Sequence, residues 1–154
     1  MKRIAIGTLP QPQQKDLFTK RWRRVRRPDP KESQVQIALI AELKIRCRKG
    51  VIYFHVPNGE ERRDSVAAKL KAMGVLRGVS DLLFVWCDKD APRGPHGGLP
   101  LRVLFLELKR RGHTPTPEQW AFSEAIRECG AFYDCADSVA GAIEIIDRYG
   151  LLKR

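Results

Sequence analysis

The chain has 154 residues, 43% of them apolar, with 29 Lys/Arg against 18 Asp/Glu and a net charge of +11. This length suits a single domain that buries its own core. No run nears the roughly 18 apolar residues of a membrane helix, and no apolar stretch follows the basic N-terminus as in a secretory signal, so the expected location is the cytosol.

The charge is unevenly placed. Residues 1–30 hold nine Lys/Arg against Asp16 and Asp29, which is +7 of the total, leaving +4 for the other 124 residues. Residues 1–29, with Pro10, Pro12, Pro28 and the cluster KRWRRVRR at 20–27, read as a basic arm ahead of a domain at 30–154. Such an arm either meets a phosphate-rich polymer, through residues such as Arg23 and Arg24, or is a solubilising tail. Trp22 either stacks on a base or packs back on the domain.

The sequence Asp29-Pro30-Lys31-Glu32 has an N-cap, a first-turn proline and a third-position glutamate. Val35, Leu39, Ile40 and Leu43 then predict an amphipathic helix to about Arg48. VIYFHV at 51–56 is a first strand, Pro57-Asn58-Gly59 a turn, and 60–73 a polar helix closed by Gly74. DLLFVWC at 81–87 and VLFLELK at 103–109 are strands on either side of the Pro- and Gly-rich loop 88–100, which predicts an antiparallel pair. Thr116-Pro117-Glu118-Gln119 opens a third helix to about Glu128, AFYDCA at 131–136 is a fourth strand, and 138–149 a last helix. The order α-β-α-β-β-α-β-α predicts an α/β domain around a mixed sheet of about four strands. Cys47, Cys87, Cys129 and Cys135 form no CxxC pair and the three histidines are scattered, which argues against zinc and for thiols as small core side chains.

Glu107 and Lys109 are the anomaly, because alternation puts both on one face of an apolar strand. A salt-bridged pair guarding an exposed edge strand is one explanation. The other is a site. In an antiparallel hairpin Asp81, at the start of one strand, comes opposite Glu107 and Lys109 at the end of the next. Two carboxylates and a lysine suit a divalent cation, a water and a phosphodiester. Glu32 and Gln119 each stand at the third helical position, where they would be halves of capping boxes. His55, at a strand end, reads as a hydrogen-bonded histidine before a phosphate ligand, and His96 and His113 as solvated.

Asp81 followed by Glu107-x-Lys109 resembles the PD-(D/E)xK nuclease superfamily. More specifically, ESQVQ at 32–36, HVPNG at 55–59, LKAMGVLRGVSDLLF at 70–84, LFLELKRRG at 104–112 and TPEQ at 116–119 resemble the VRR-NUC nucleases, of the small stand-alone phage or bacterial type. The resemblance covers about residues 31–136. It implies a restriction-endonuclease-like αβββαβ core. It also implies Asp81, Glu107 and the Leu108 carbonyl as ligands of Mg²⁺ or Mn²⁺, with Glu32 acting through water. Lys109 would attend the attacking water, and Gln119 would stand beside the site. Asn58 and Arg62 match a phosphate-facing segment, although Glu60 replaces a common glycine there, and Ser80 stands where proline is frequent. Arg110 and Arg111 could touch the DNA backbone. The function implied is a structure-selective DNA endonuclease acting as a homodimer on branched DNA such as four-way junctions, with no membrane and no small-molecule cofactor. The alternatives are flaps, single strands or RNA as target, or a non-catalytic nucleic-acid-binding module.

Overall fold

The structure, a computed structural model, describes residues 30–57 and 64–154. The elements follow in the expected order: α1 (Glu32–Arg46), β1 (Val51–His55), α2 (Asp64–Ala72), β2 (Leu82–Cys87), β3 (Leu101–Leu108), α3 (Pro117–Glu128), β4 (Phe132–Ala136) and α4 (Val139–Arg148). They build a four-stranded mixed sheet in the order β1-β2-β3-β4, consistent with a restriction-endonuclease-like fold. β1–β2 and β2–β3 are antiparallel, while β3–β4 is parallel because α3 carries the chain back along the sheet.

Strand alternation divides the sheet into two unlike faces. Leu82, Phe84 and Trp86 of β2 and Leu104, Leu106 and Leu108 of β3 are buried on one face. The covering side chains come from α1 (Val35, Leu39, Leu43) and α4 (Ala142, Ile145, Ile146), each set at helical spacing, and all belong to one core cluster. The other face is partly covered by α3, whose Phe122 ring meets Phe105 edge-on at 5.2 Å. β3 is therefore an interior strand, and the edge-strand explanation of Glu107 and Lys109 falls.

Two expectations are corrected. Glu32 is the first residue of α1, not the third: the reciprocal bond is made by Gln34, whose Oε1 accepts from the Lys31 N–H at 2.9 Å. This leaves the Glu32 carboxylate free of the cap. The cysteines are not core side chains either. Cys87, Cys129 and Cys135 are exposed, and only Cys47 is half-buried and packed against the core; all four are unpaired thiols. Among the described residues no helix is long and apolar enough to cross a membrane.

Candidate active site

β3 begins Leu101, Arg102 and ends Glu107, Leu108, so its end is paired with the start of β2: Leu82 lies across from Leu106. One step further puts Asp81 opposite Glu107. The contact is direct, since Asp81 Oδ2 accepts the Leu108 N–H at 2.8 Å. Asp81 is itself held by its backbone, whose carbonyl accepts from Val56 N at 2.9 Å and from His55 Nδ1 at 2.8 Å. His55 is hydrogen-bonded, as the sequence reading expected, but exposed rather than packed, because it ends β1 at the rim of the sheet.

Glu107 is only 2% exposed. Its Oε1 accepts from Lys109 Nζ at 2.8 Å and from Gln119 Nε2 at 2.5 Å. Its Oε2 is buried and has no partner among the described residues. Burial, then the neighbouring charge of Asp81, raises the Glu107 carboxyl from 4.5 to about 7 against the pull of Lys109. Asp81 is raised too, by burial first, with the Leu108 N–H and Lys109 opposing. A buried carboxylate oxygen without a donor is costly. It is the atom that a cation would satisfy.

Gln119 has two partners at once. Its Oε1 accepts from Thr116 N at 2.8 Å, closing the capping box of α3, while its Nε2 reaches Glu107. The cap and the site contact coexist because the amide has one acceptor and one donor end. Gly78 sets the distance. It adopts φ +81, and a Cβ there would lie 2.5 Å from the Glu118 carbonyl, so the loop before β2 packs against the start of α3 backbone to backbone.

Glu32 stands at the margin, its Oε1 accepting from Arg110 N at 3.1 Å. Among the described residues no three His, Cys, Asp or Glu side chains converge as a metal cluster. The close carboxylates are two, and Glu32 is suited to a role through water. Arg110 and Arg111 are exposed just past the strand. Asn58, Arg62, Arg23 and Arg24 lie outside the described residues.

Three features were missed by sequence reading. The Tyr133 hydroxyl is buried without a partner, its ring lies under the Arg127 guanidinium, and burial and then the Glu107 charge hold its phenol above the usual range. Only the parallel pairing of Phe105 with Tyr133 brings it to this face, and no local pattern carries that pairing. Ser80 Oγ, beside Asp81, is also buried and unpartnered. Trp120, one residue beyond Gln119, is half exposed, and no local pattern singles it out.

The site end of the sheet also gathers helix starts. Glu32 opens α1, Gln119 is in the first turn of α3, and α4 follows β4, whose Ala136 carbonyl accepts from Lys109 N at 2.9 Å. Three positive helix ends thus lie at the end of the sheet that carries the two carboxylates, where such ends favour anions.

No protein-family model matches the chain, and no curated protein matches it. A solved structure described as a VRR_NUC domain protein is similar at 27% identity, with a TM-score of 0.56, covering 78% of this chain and 88% of that one. On this likeness the chain has a VRR-NUC family fold, that of a nuclease-type domain.

Proposed function

We propose that this domain is a divalent-metal-dependent endonuclease that hydrolyses DNA phosphodiesters. Branched DNA such as four-way junctions is the proposed substrate, and a homodimer the working form. The observation that carries the reading is Glu107 Oε2, a buried carboxylate oxygen without a donor among the described residues, on the same sheet end as Asp81 and Lys109.

The donor set fits Mg²⁺ or Mn²⁺, hard cations that take oxygen ligands and keep waters. Asp81 and Glu107 would hold the ion with the Leu108 carbonyl, and Glu32 through water; the bound ion would supply positive charge against the attacked phosphate. The remaining work falls to the chain. Lys109, tied to Glu107 at 2.8 Å, is placed to orient the water and to steady charge on the phosphate oxygens. Gln119 holds the Glu107 carboxylate in one rotamer. The water oxygen forms a bond to phosphorus as the bond to the departing sugar oxygen breaks, leaving one phosphate end and one hydroxyl end. A twofold dimer would make two symmetric cuts, as a four-way junction requires.

The test is cleavage of linear duplex, flap, single-stranded and four-way junction DNA at equal concentration with Mg²⁺, with Mn²⁺ and with EDTA. The expected result is metal-dependent, paired cutting of the junction, which Lys109→Ala lowers by at least about a hundredfold while DNA binding stays. Wild-type cleavage by Lys109→Ala would remove the assigned role. Cutting confined to flaps or single strands would discard the substrate and keep the chemistry.

A further inference from the structure

At the opposite end of the sheet lies a cleft of about 730 Å³, lined among others by Arg48, Lys89, Arg102, Arg148, Lys153 and Arg154. Arg102 and Trp86 pair with each other at the far ends of β3 and β2. Trp86, Phe132 and Tyr149 form the cleft's aromatic floor, with ring centroids 6.1 Å apart for Trp86–Phe132 and 4.9 Å for Phe132–Tyr149. Arg102 is five residues before Glu107, so the cleft is about 17 Å from the candidate active site along the strand.

Much of this charge has no local counter-charge. Six cations line the cleft against Asp88 and Asp90, a side-chain balance of +4. α1 and α4 end here, and each C-terminus offsets about half a charge, which still leaves about +3. Asp88 is engaged by Arg102 at 3.1 Å and caps the Asp90 and Ala91 N–H groups. Lys153 Nζ donates to the Ile45 carbonyl at 2.6 Å. Arg48, in contrast, has a buried Nε with no partner, and the exposed Lys89 and Arg148 have no hydrogen bond or ion pair among the described residues. A buried guanidinium N–H without an acceptor among the described residues is a donor that an anion would satisfy.

We propose that this cleft is a second, non-catalytic site for a nucleic-acid strand, with backbone phosphates on Arg48, Lys89 and Arg148 and a base laid against Phe132 and Tyr149. Cations over an aromatic floor match the two parts of a nucleotide. A free nucleotide offers the same chemistry, but cations spread over four separate chain segments suit successive phosphates better than one. The identity of the polymer rests on the nuclease reading; the existence of the site does not. Binding at both ends of the sheet lets one protomer hold two segments of a branched molecule.

The probe is a fluorescent single-stranded oligonucleotide, followed by anisotropy in EDTA so that nothing is cut. Lys89→Glu/Arg148→Glu changes two exposed, unpartnered side chains and leaves the core alone. Its affinity is expected to fall at least tenfold and its salt slope by about 1.4, two contacts at roughly 0.7 each, while the metal-dependent rate at saturating DNA is unchanged. Lys44→Glu/Lys71→Glu makes the same charge change on exposed positions of α1 and α2. Equal losses in the two double variants would overturn the site, as would an unchanged slope in the first. ATP or AMP binding that only the first variant loses, with strand affinity intact, would overturn the strand in favour of a free nucleotide. Loss of cleavage with this binding intact would instead strike the nuclease reading alone.

Discussion

Glu107 makes the fold itself pH-dependent. Its carboxyl is raised from 4.5 to about 7, by burial first and by Asp81 second. A group whose folded value is raised contributes its stability fully below the unfolded value, and that contribution is lost as pH rises through the folded one. The window is therefore 4.5 to about 7. At about 1.4 kcal/mol per pH unit, integration gives a loss of about 2–3 kcal/mol between pH 5 and pH 8. Asp81 titrates alongside, so the steps belong to the pair. Urea unfolding in EDTA at pH 5, 6, 7 and 8 measures the loss, with Glu107→Gln as reference because its amide stays neutral. The stability of wild type relative to Glu107→Gln should decline by that amount across the series. Mg²⁺ at pH 8 should then stabilise the wild type and leave the variant unmoved. A flat difference between the two proteins would refute the account of a charge held without its partner.

The other predictions follow from the same geometry and the charge map. Gln119→Ala removes both an acceptor for the Thr116 N–H and a donor to Glu107, so stability should fall by about 2–4 kcal/mol in urea and cleavage should fall with it. Gln119→Glu keeps the cap but faces Glu107 with a like charge, and its deficit should grow as pH rises. Gly78→Ala should cost more than about 1 kcal/mol and depress cleavage, because the new Cβ meets the Glu118 carbonyl. Gly74→Ala, with a similar φ of +85 and nothing within 4 Å, should show only the smaller backbone penalty in thermal unfolding and cut DNA normally. Deleting residues 1–28 removes nine Lys/Arg and should flatten the salt dependence of DNA binding by about 0.9 per lost duplex contact. An unchanged slope would mean that the arm meets no phosphate.

What was legible in the sequence is what local periodicity carries. The switch from helical spacing at Val35, Leu39 and Leu43 to the apolar runs 82–87 and 101–108 marks the elements, and the hairpin between those runs brings Asp81 to Glu107. The start of α1 was misplaced because Asp29-Pro30-Lys31-Glu32 and Lys31-Glu32-Ser33-Gln34 both offer a polar side chain at the third position, and only the folded chain selects Gln34. Non-local placement was out of reach. Tyr133 joins the site through a parallel pairing across α3, and the basic cleft draws on the ends of α1, β2 and α4 and the beginning of β3. No window of sequence contains either.

Charge counting explains why the proposed site is incomplete without a cation. Asp81, Glu107 and Lys109 sum to −1 when both carboxyls are ionised, and a phosphodiester would bring −1 more. The three helix starts offset part of this, at about 0.3–1 kcal/mol each. That is less than the cost of ionising Glu107 in its buried position, whose carboxyl stands near 7 despite a direct contact from Lys109. Helix ends and one lysine therefore do not neutralise this end of the sheet. A divalent ion would reverse the balance to +1 and leave it neutral with the phosphodiester in place, which makes cation and substrate mutually reinforcing. DNA binding by the wild type should accordingly tighten on adding Ca²⁺ to EDTA-free, magnesium-free protein, and that gain should vanish in Glu107→Gln. Equal gains in both proteins would place the ion's effect elsewhere than between these two carboxylates.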